Sequence, residues 1–168
     1  MKSGQRRPRS ILRSIFSAPA TENVTTPTPV KPASTIAVQL RGSLQLRHVD
    51  AGSCNGCELE IASAFGPVYD ASRFGARLVA SPRHADGLLI TGVVTRNMHG
   101  PLVRALDATP QPSVVIACGD CAINGGIFTD AYGVASSVDD LVQPDVRIEG
   151  CPPHPDAILH ALRSLTQL

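Results

Sequence analysis

The chain has no tryptophan, and aromatic residues make up only 4% of its 168 positions. That argues against binding single-stranded nucleic acid by stacking bases on aromatic rings. The formal net charge of +1 is far from the basic excess of a general nucleic-acid footprint, so no nucleic-acid partner is expected. No stretch reaches the roughly 20 apolar residues that a membrane-spanning helix needs. Arg6-Arg7 invites a twin-arginine export reading. It is set aside because Arg13, Pro19, Glu22 and Asn23 interrupt the following segment, leaving no hydrophobic region. The cytoplasm is the expected compartment.

What is present points to one folded unit. Hydrophobic residues make up 43% and charged residues 17%, a globular composition in a chain long enough to bury a real core. The charge is unevenly distributed. Residues 1–35 carry Lys2, Arg6, Arg7, Arg9, Arg13 and Lys31 against the single acid Glu22, whereas the remainder is mildly acidic. The division is therefore a basic arm over 1–35, rich in Pro, Ser and Thr, and an α/β body over 36–168. Ile11, Leu12, Ile15 and Phe16 fall on one side of a short helix. Two readings of the arm stand: a disordered tail, or a weakly amphipathic basic segment lying on a membrane or a partner subunit. The lysines and arginines would help at an anionic surface in a salt-dependent way.

The body alternates strand and helix signals. Strands are predicted at 45–50, 76–80, 87–91, 113–118 and 145–149, and helices at 57–65, 98–108 and 155–165. Gly87–Thr91 (GLLIT) and Ser113–Cys118 (SVVIAC) are nearly continuous apolar runs, as strands buried on both faces require. In the first helix Leu59, Ile61, Ala62 and Phe65 are the apolar positions. Pro155 suits the first helical position, with Ile158, Leu159, Leu162 and Leu165 forming one apolar face behind it. This pattern predicts an α/β domain with a mostly parallel sheet.

The five cysteines follow the strands. Cys54 and Cys57 come after the first, Cys118 ends the fourth with Cys121 just beyond, and Cys151 follows the last. In a compartment where disulfides are rare, such spacing suggests metal or redox chemistry. The carboxyl ends of parallel strands share one edge, where ligands bind, so three distant segments bring thiols to one place. Four thiolates hold zinc or an iron–sulfur cluster. The pairs Cys54-x-x-Cys57 and Cys118-x-x-Cys121 keep a structural zinc site open. Their separation exceeds that of a compact zinc ribbon, and Cys151-Pro152 has the Cys-Pro form seen among iron–sulfur ligands. Gly52, Gly56, Gly119, Gly125, Gly126 and Gly150 stand near the cysteines, either to let backbone amides approach sulfur or as plain turn residues.

Five motifs in order carry a resemblance over Leu46 to Leu165. They are Gly52-Ser53-Cys54-Asn55-Gly56-Cys57-Glu58-Leu59-Glu60, Arg73-Phe74-Gly75, Ser81-Pro82-Arg83-His84-Ala85-Asp86, Gly119-Asp120-Cys121-Ala122 with Gly125-Gly126-Ile127-Phe128, and Gly150-Cys151-Pro152-Pro153. Together they resemble the family that joins the twenty-kilodalton subunit of respiratory complex I with the small subunits of nickel–iron hydrogenases. The resemblance implies a flavodoxin-like, three-layer fold and one 4Fe–4S cluster on Cys54, Cys57, Cys121 and Cys151. Cys118 falls where the family has no ligand and reads as a buried strand-end residue.

The spaced pair Cys54-x-x-Cys57 is similar to the hydrogenase branch, whereas the complex I subunit has a tandem Cys-Cys. The Ser-Pro-Arg-His-Ala-Asp segment is similar to membrane-bound, energy-converting hydrogenases and the formate hydrogenlyase small subunit. An export signal and a second cluster-bearing domain, features of uptake hydrogenases, are not expected here. By resemblance the chain is an electron-transfer subunit of an oxidoreductase complex and not catalytic alone. Its partners would be a hydrogenase large subunit or a subunit like the forty-nine-kilodalton one of complex I, a ferredoxin-like iron–sulfur subunit and membrane subunits. It would lie peripherally on the inner face of the cell membrane. Other readings are a complex I-type small subunit feeding electrons from NADH to quinone, a cluster protein coupled to formate, and a structural zinc or interaction module on the same fold. Arg83 and His84 are candidates for tuning a cluster by their charge; the plainer reading pairs Arg83 with Asp86 and gives His84 a turn to cap. Glu58 and Glu60 are candidates for proton relay or interface roles, or else ordinary helix-face acids. His48, His99, His154 and His160 read as structural.

Overall fold

A computed structural model describes residues 42–167. The basic arm over 1–35 and the start of the body at Ile36 lie outside the described residues. The main sheet contains β1 (Leu44–Asp50), β2 (Ala76–Leu78), β3 (Gly87–Thr91), β5 (Val114–Cys118) and β7 (Val146–Ile148), and the elements between them include β4 (Val94–Thr95) and β6 (Val134–Ser136). The helices are α1 (Gly56–Ala64), α2 (Arg96–Ala108), α3 (Asp120–Asn124), α4 (Val138–Leu141) and α5 (Pro155–Thr166). The main sheet runs in the order β2-β1-β3-β5-β7, and every neighbouring pair is parallel. That is the flavodoxin-like order, in which the chain reverses direction across the sheet between β1 and β3.

Alternation along the strands divides the core between the two faces of the sheet. Leu44, Leu46, Leu89, Ile116, Cys118 and Ile148 pack with Ile61 of α1 and Ile158, Leu162 and Leu165 of α5. Leu88, Ile90, Val115 and Ala117 pack on the other face with Leu102 of α2 and Val138 of α4. β3 and β5 are buried at every position, which explains their unbroken apolar sequence. Burying each such Leu or Ile stabilises the fold by about 1.5–3 kcal/mol before entropy is subtracted. The result is the expected three-layer α/β domain.

The main elements form where the sequence places them, within a few residues. α5 starts with Pro155 in its first turn behind His154, and its inner face is the predicted one, with Leu159 at its margin. The first helix differs from expectation: Leu59 is 65% exposed and Ala62 is also exposed, so only Cys57, Ile61 and Ala64 form its buried side. Several elements were not foreseen, α3 among them. β4 and β6 make a separate antiparallel pair, too short to show a period. α4 is held by a capping box, in which Ser137 and Asp140 each accept the other's backbone N–H; the Ser-x-x-Asp spacing was its signal. Among the described residues no helix is long and apolar enough to cross a membrane.

Candidate metal centre at the carboxyl edge of the sheet

β1 ends at Asp50, whose carboxylate accepts the backbone N–H of Gly52 (2.8 Å) and of Ser53 (2.7 Å). This folds the loop that carries Cys54. Ser53 Oγ then accepts the Asn55 N–H at 3.0 Å. Asn55 adopts a left-handed backbone, φ 72°, which turns the chain into α1 with Cys57 in its first turn. Cys54 is therefore exposed, and Cys57 is 8% exposed.

The other two cysteines are brought together by one carboxylate. Asp120, just after β5, accepts the Gly150 N–H at 2.7 Å and donates its own N–H to Gly150 O at 2.9 Å. Gly119 N–H also donates to Ile148 O at 2.8 Å. The exits of β5 and β7 are thereby joined, and Cys121 and Cys151 follow from the joint. Cys121 interacts electrostatically with Cys151, Cys57 and Cys54, most strongly with Cys151. Burial, then the charges of those three neighbours, push the Cys121 thiol up to about 11. Thiols gathered this way resist ionising together, and a bound cationic centre would relieve that cost.

Two glycines leave room for the sulfurs. A Cβ at Gly119 would lie 2.6 Å from Cys57 Sγ, and a Cβ at Gly126 3.1 Å from Cys121 Sγ. Both have positive φ, 91° and 50°, so any side chain there would be strained as well as crowded. Gly56 packs less tightly between Cys54 Sγ and Pro152, its Cβ position 3.6 Å from the sulfur. Four thiols in a glycine-walled recess are a donor set that fits a thiolate-ligated metal centre. Among the described residues no three or more His, Cys, Asp or Glu side chains are already drawn around one ion position.

Cys118 behaves differently. It is completely buried, and its neighbours in charge are Cys57 and Glu58. Its hydrogen bond to Cys57, together with burial, pushes its thiol well above the ordinary range, while the same bond lowers that of Cys57. Cys118 thus neighbours Cys57 alone among the other cysteines, whereas Cys121 neighbours Cys151, Cys57 and Cys54.

Glu58 stands beside the site in a compact network. Its carboxylate accepts the Ser53 hydroxyl at 2.6 Å and the hydroxyl of fully buried Thr91. His48 Nε2 lies 3.0 Å from Thr91 Oγ1 and 3.6 Å from Glu58. Burial, outweighing the Glu58 charge, lowers the His48 pKa below its ordinary value. Beyond His48 opens a cleft of about 510 Å³ lined also by Arg47, Asp50, Leu78, Val79 and Met98. Asp120, Ser53, Thr91 and His48 were not singled out as site residues. Asp120 and Ser53 lay within the quoted motifs, but nothing local marked Thr91 or His48.

The remaining candidates separate by position. Glu60 is half-buried on α1 and enters none of these bonds. Arg83 and His84 are exposed on a 3₁₀ turn, Pro82–His84, which leads into β3 at its amino end. That is the opposite edge from the thiols, so the structure does not bring Arg83 or His84 to the site. Asp86, the expected partner of Arg83, accepts the Gln45 N–H at 2.7 Å.

Comparison with known proteins agrees with this architecture. The chain is 48% identical over 122 residues to formate hydrogenlyase subunit 7 of Escherichia coli, covering 73% of this chain and about half, 48%, of that protein. It is 47% identical over 115 residues to a probable membrane-bound hydrogenase subunit of Pyrococcus furiosus, covering 68% and 69% of the two chains. Among solved structures, a chain of the membrane-bound sulfane sulfur reductase, an archaeal respiratory membrane complex, superposes with a TM-score of 0.67 at 34% identity, covering 78% of this chain and 72% of that one. The family described as NADH ubiquinone oxidoreductase, 20 Kd subunit, matches residues 54–165, from the first cysteine of the recess to the last turn of α5. With about two thirds of its length inside that match, the chain belongs to the NADH ubiquinone oxidoreductase 20 Kd subunit family.

Proposed function

We propose that this chain is the electron-transfer subunit of a hydrogenase-like or complex I-like oxidoreductase, holding one 4Fe–4S cluster on Cys54, Cys57, Cys121 and Cys151. The observation that carries this reading is the convergence of thiols from three strand ends, with Gly119 and Gly126 leaving space against their sulfurs. The bound cluster would supply one-electron redox chemistry. The chain's own residues do the rest. Asp50 and Asp120 hold the loops, the four thiols provide the ligands, and the buried strands beneath exclude water.

The surface around the thiols supports a covering partner. Cys54 and Cys151 are exposed. Leu59 beside Cys57 is 65% exposed, and Ile127 beside Gly126 is 84% exposed. Apolar side chains around a redox site suit an interface with a larger subunit. In this reading that subunit is a hydrogenase large subunit or its forty-nine-kilodalton-like counterpart in complex I. A ferredoxin-like iron–sulfur subunit and membrane subunits would complete the complex and hold the chain at the inner face of the membrane. Of the readings within this class, the identity to the two hydrogenase-type subunits favours the hydrogenase branch.

Anaerobic reconstitution with iron and sulfide tests the proposal. The expected result is about four irons per chain, iron–sulfide absorption and an EPR signal after reduction. Cys121→Ser should lose the signal. A chain that takes up a single zinc and never iron would instead be a structural module.

A further inference from the structure

We propose that the outer edge of β1, where β2 leaves it unpaired, is a docking groove: an extended segment of a partner polypeptide, carrying an acidic side chain, adds itself there to the sheet as a strand.

The sheet is incomplete at this place. β2 accompanies β1 only from Leu44 to Leu46, whereas β3 accompanies it as far as Asp50. The bonds already made show where the backbone groups point. Leu44 N–H donates to Gly75 O at 2.9 Å, and Leu46 O accepts the Val79 N–H at 2.8 Å, so the even-numbered residues of β1 face β2. Ala51 N–H donates to Thr91 O at 2.9 Å, so the odd-numbered residues face β3. Alternation along the strand carries the first set on to His48 and Asp50. Their N–H and C=O groups point outward past Val79, and among the described residues no backbone bond reaches that side of β1 beyond Val79. Donors and acceptors displayed in this way are a template for another strand.

The space beside them is open. The cleft of about 510 Å³ is lined by residues 47–50, exposed Leu78, Val79 and Met98. Arg47 and Val49 share one face of β1, being two residues apart. Arg47 enters no hydrogen bond or ion pair among the described residues. Asp50, the acid on the cleft, already accepts the Gly52 and Ser53 N–H groups. An entering strand therefore gains most from an acid beside Arg47, with an apolar residue two positions away against Val49 and Met98. The chain's own amino-terminal residues are a poor complement, because Glu22 is the single acid between Met1 and Arg41. The charge thus selects another polypeptide.

The probe is a labelled peptide, Val-Thr-Asp-Thr-Val, which sets Asp between two valines on one face in either direction of pairing. With the full chain, fluorescence anisotropy should show saturable binding. Residue-resolved hydrogen exchange should slow at the His48 and Asp50 amides and stay unchanged at those of Arg47 and Val49, which face β3. Replacing the peptide's Asp by Lys, or Arg47→Gln in the chain, should each weaken binding about tenfold, the effect of one close charge pair across an interface. Arg47→Glu should reverse the preference, and unchanged exchange in β3 and β5 shows that each variant is folded. No binding at millimolar peptide overturns the inference. So does equal binding of the Asp and Lys peptides, or of a peptide N-methylated at every backbone amide. Protection of the same two amides that rises with protein concentration, without peptide, makes the occupant a second copy and also overturns it. None of these readouts involves the thiols, so they stand or fall apart from the iron result.

Discussion

The two edges of the main sheet use one device to different ends. At the amino edge Asp86 and Asp145 each exchange two hydrogen bonds with a neighbouring strand. Asp86 accepts from Gln45 N–H and donates its own N–H to Gln45 O, both at 2.7 Å. Asp145 accepts from Val115 N–H at 2.8 Å and donates to Val115 O at 2.9 Å. At the carboxyl edge Asp120 makes the same reciprocal pair with Gly150, and Asp50 closes the loop after β1. The amino edge thereby gains strand alignment. The carboxyl edge gains alignment and a recess, because its turns carry the cysteines and the glycines that make room for them. Identical backbone chemistry becomes a site only where thiols are attached to it.

The comparison fails if the recess tolerates side chains. Gly119→Val is expected to abolish iron uptake on reconstitution, since even its Cβ would lie 2.6 Å from Cys57 Sγ on a backbone at φ 91°. Iron per chain measures this directly. Full loading would show that the recess is not the site.

The paired aspartates sharpen the contrast. Asp120→Ala and Asp145→Ala each leave a strand-end N–H without its acceptor, and each should cost about 1–3 kcal/mol in denaturant unfolding. Only Asp120→Ala should also lower iron uptake. Equal loading of the two variants would mean that the joint of β5 and β7 does not organise the cysteines.

Smaller effects belong to places that touch neither edge's function. Ser137→Ala removes the cap of α4 and is expected to cost about 1 kcal/mol with iron binding unchanged, measured by unfolding midpoint and iron content together.

The smallest effect concerns pH. Burial lowers the His48 pKa in the folded chain, so below its ordinary value of 6.5 the unfolded chain binds more protons. Stability is then fully present above that value and is lost as pH falls through it toward the folded pKa. In His48→Gln this part of the pH dependence should disappear from unfolding curves recorded across that window. An unchanged slope would place His48 outside the network with Thr91 and Glu58.

Much of this was legible in the residues. The runs GLLIT and VVIAC announced buried parallel strands because a central strand of such a sheet offers no face to water. The Pro155 helix was legible because proline suits a helix start and its apolar positions fall on one face. β4 and β6 were hidden, being shorter than any period that could betray them. Leu59 misled for a related reason: its helix buries only one narrow side, and nine residues leave little periodicity to read. Arg83 and His84 were placed near the site by their motif, yet the chain must return to the amino end of the sheet to begin β3, and the motif lies on that return.

By itself the sequence determined that this is an α/β chain with a parallel sheet and that its cysteines follow strand ends. It did so because apolar runs and turn residues act locally. Only the tertiary structure decided which thiols face one another. Cys118 and Cys121 are three residues apart and chemically identical. One residue at positive φ between them, Gly119, turns the chain so that the first stays in the core and the second lies beyond the strand end. Whether a sulfur meets a neighbour depends on where three distant strands end, and that is settled by packing.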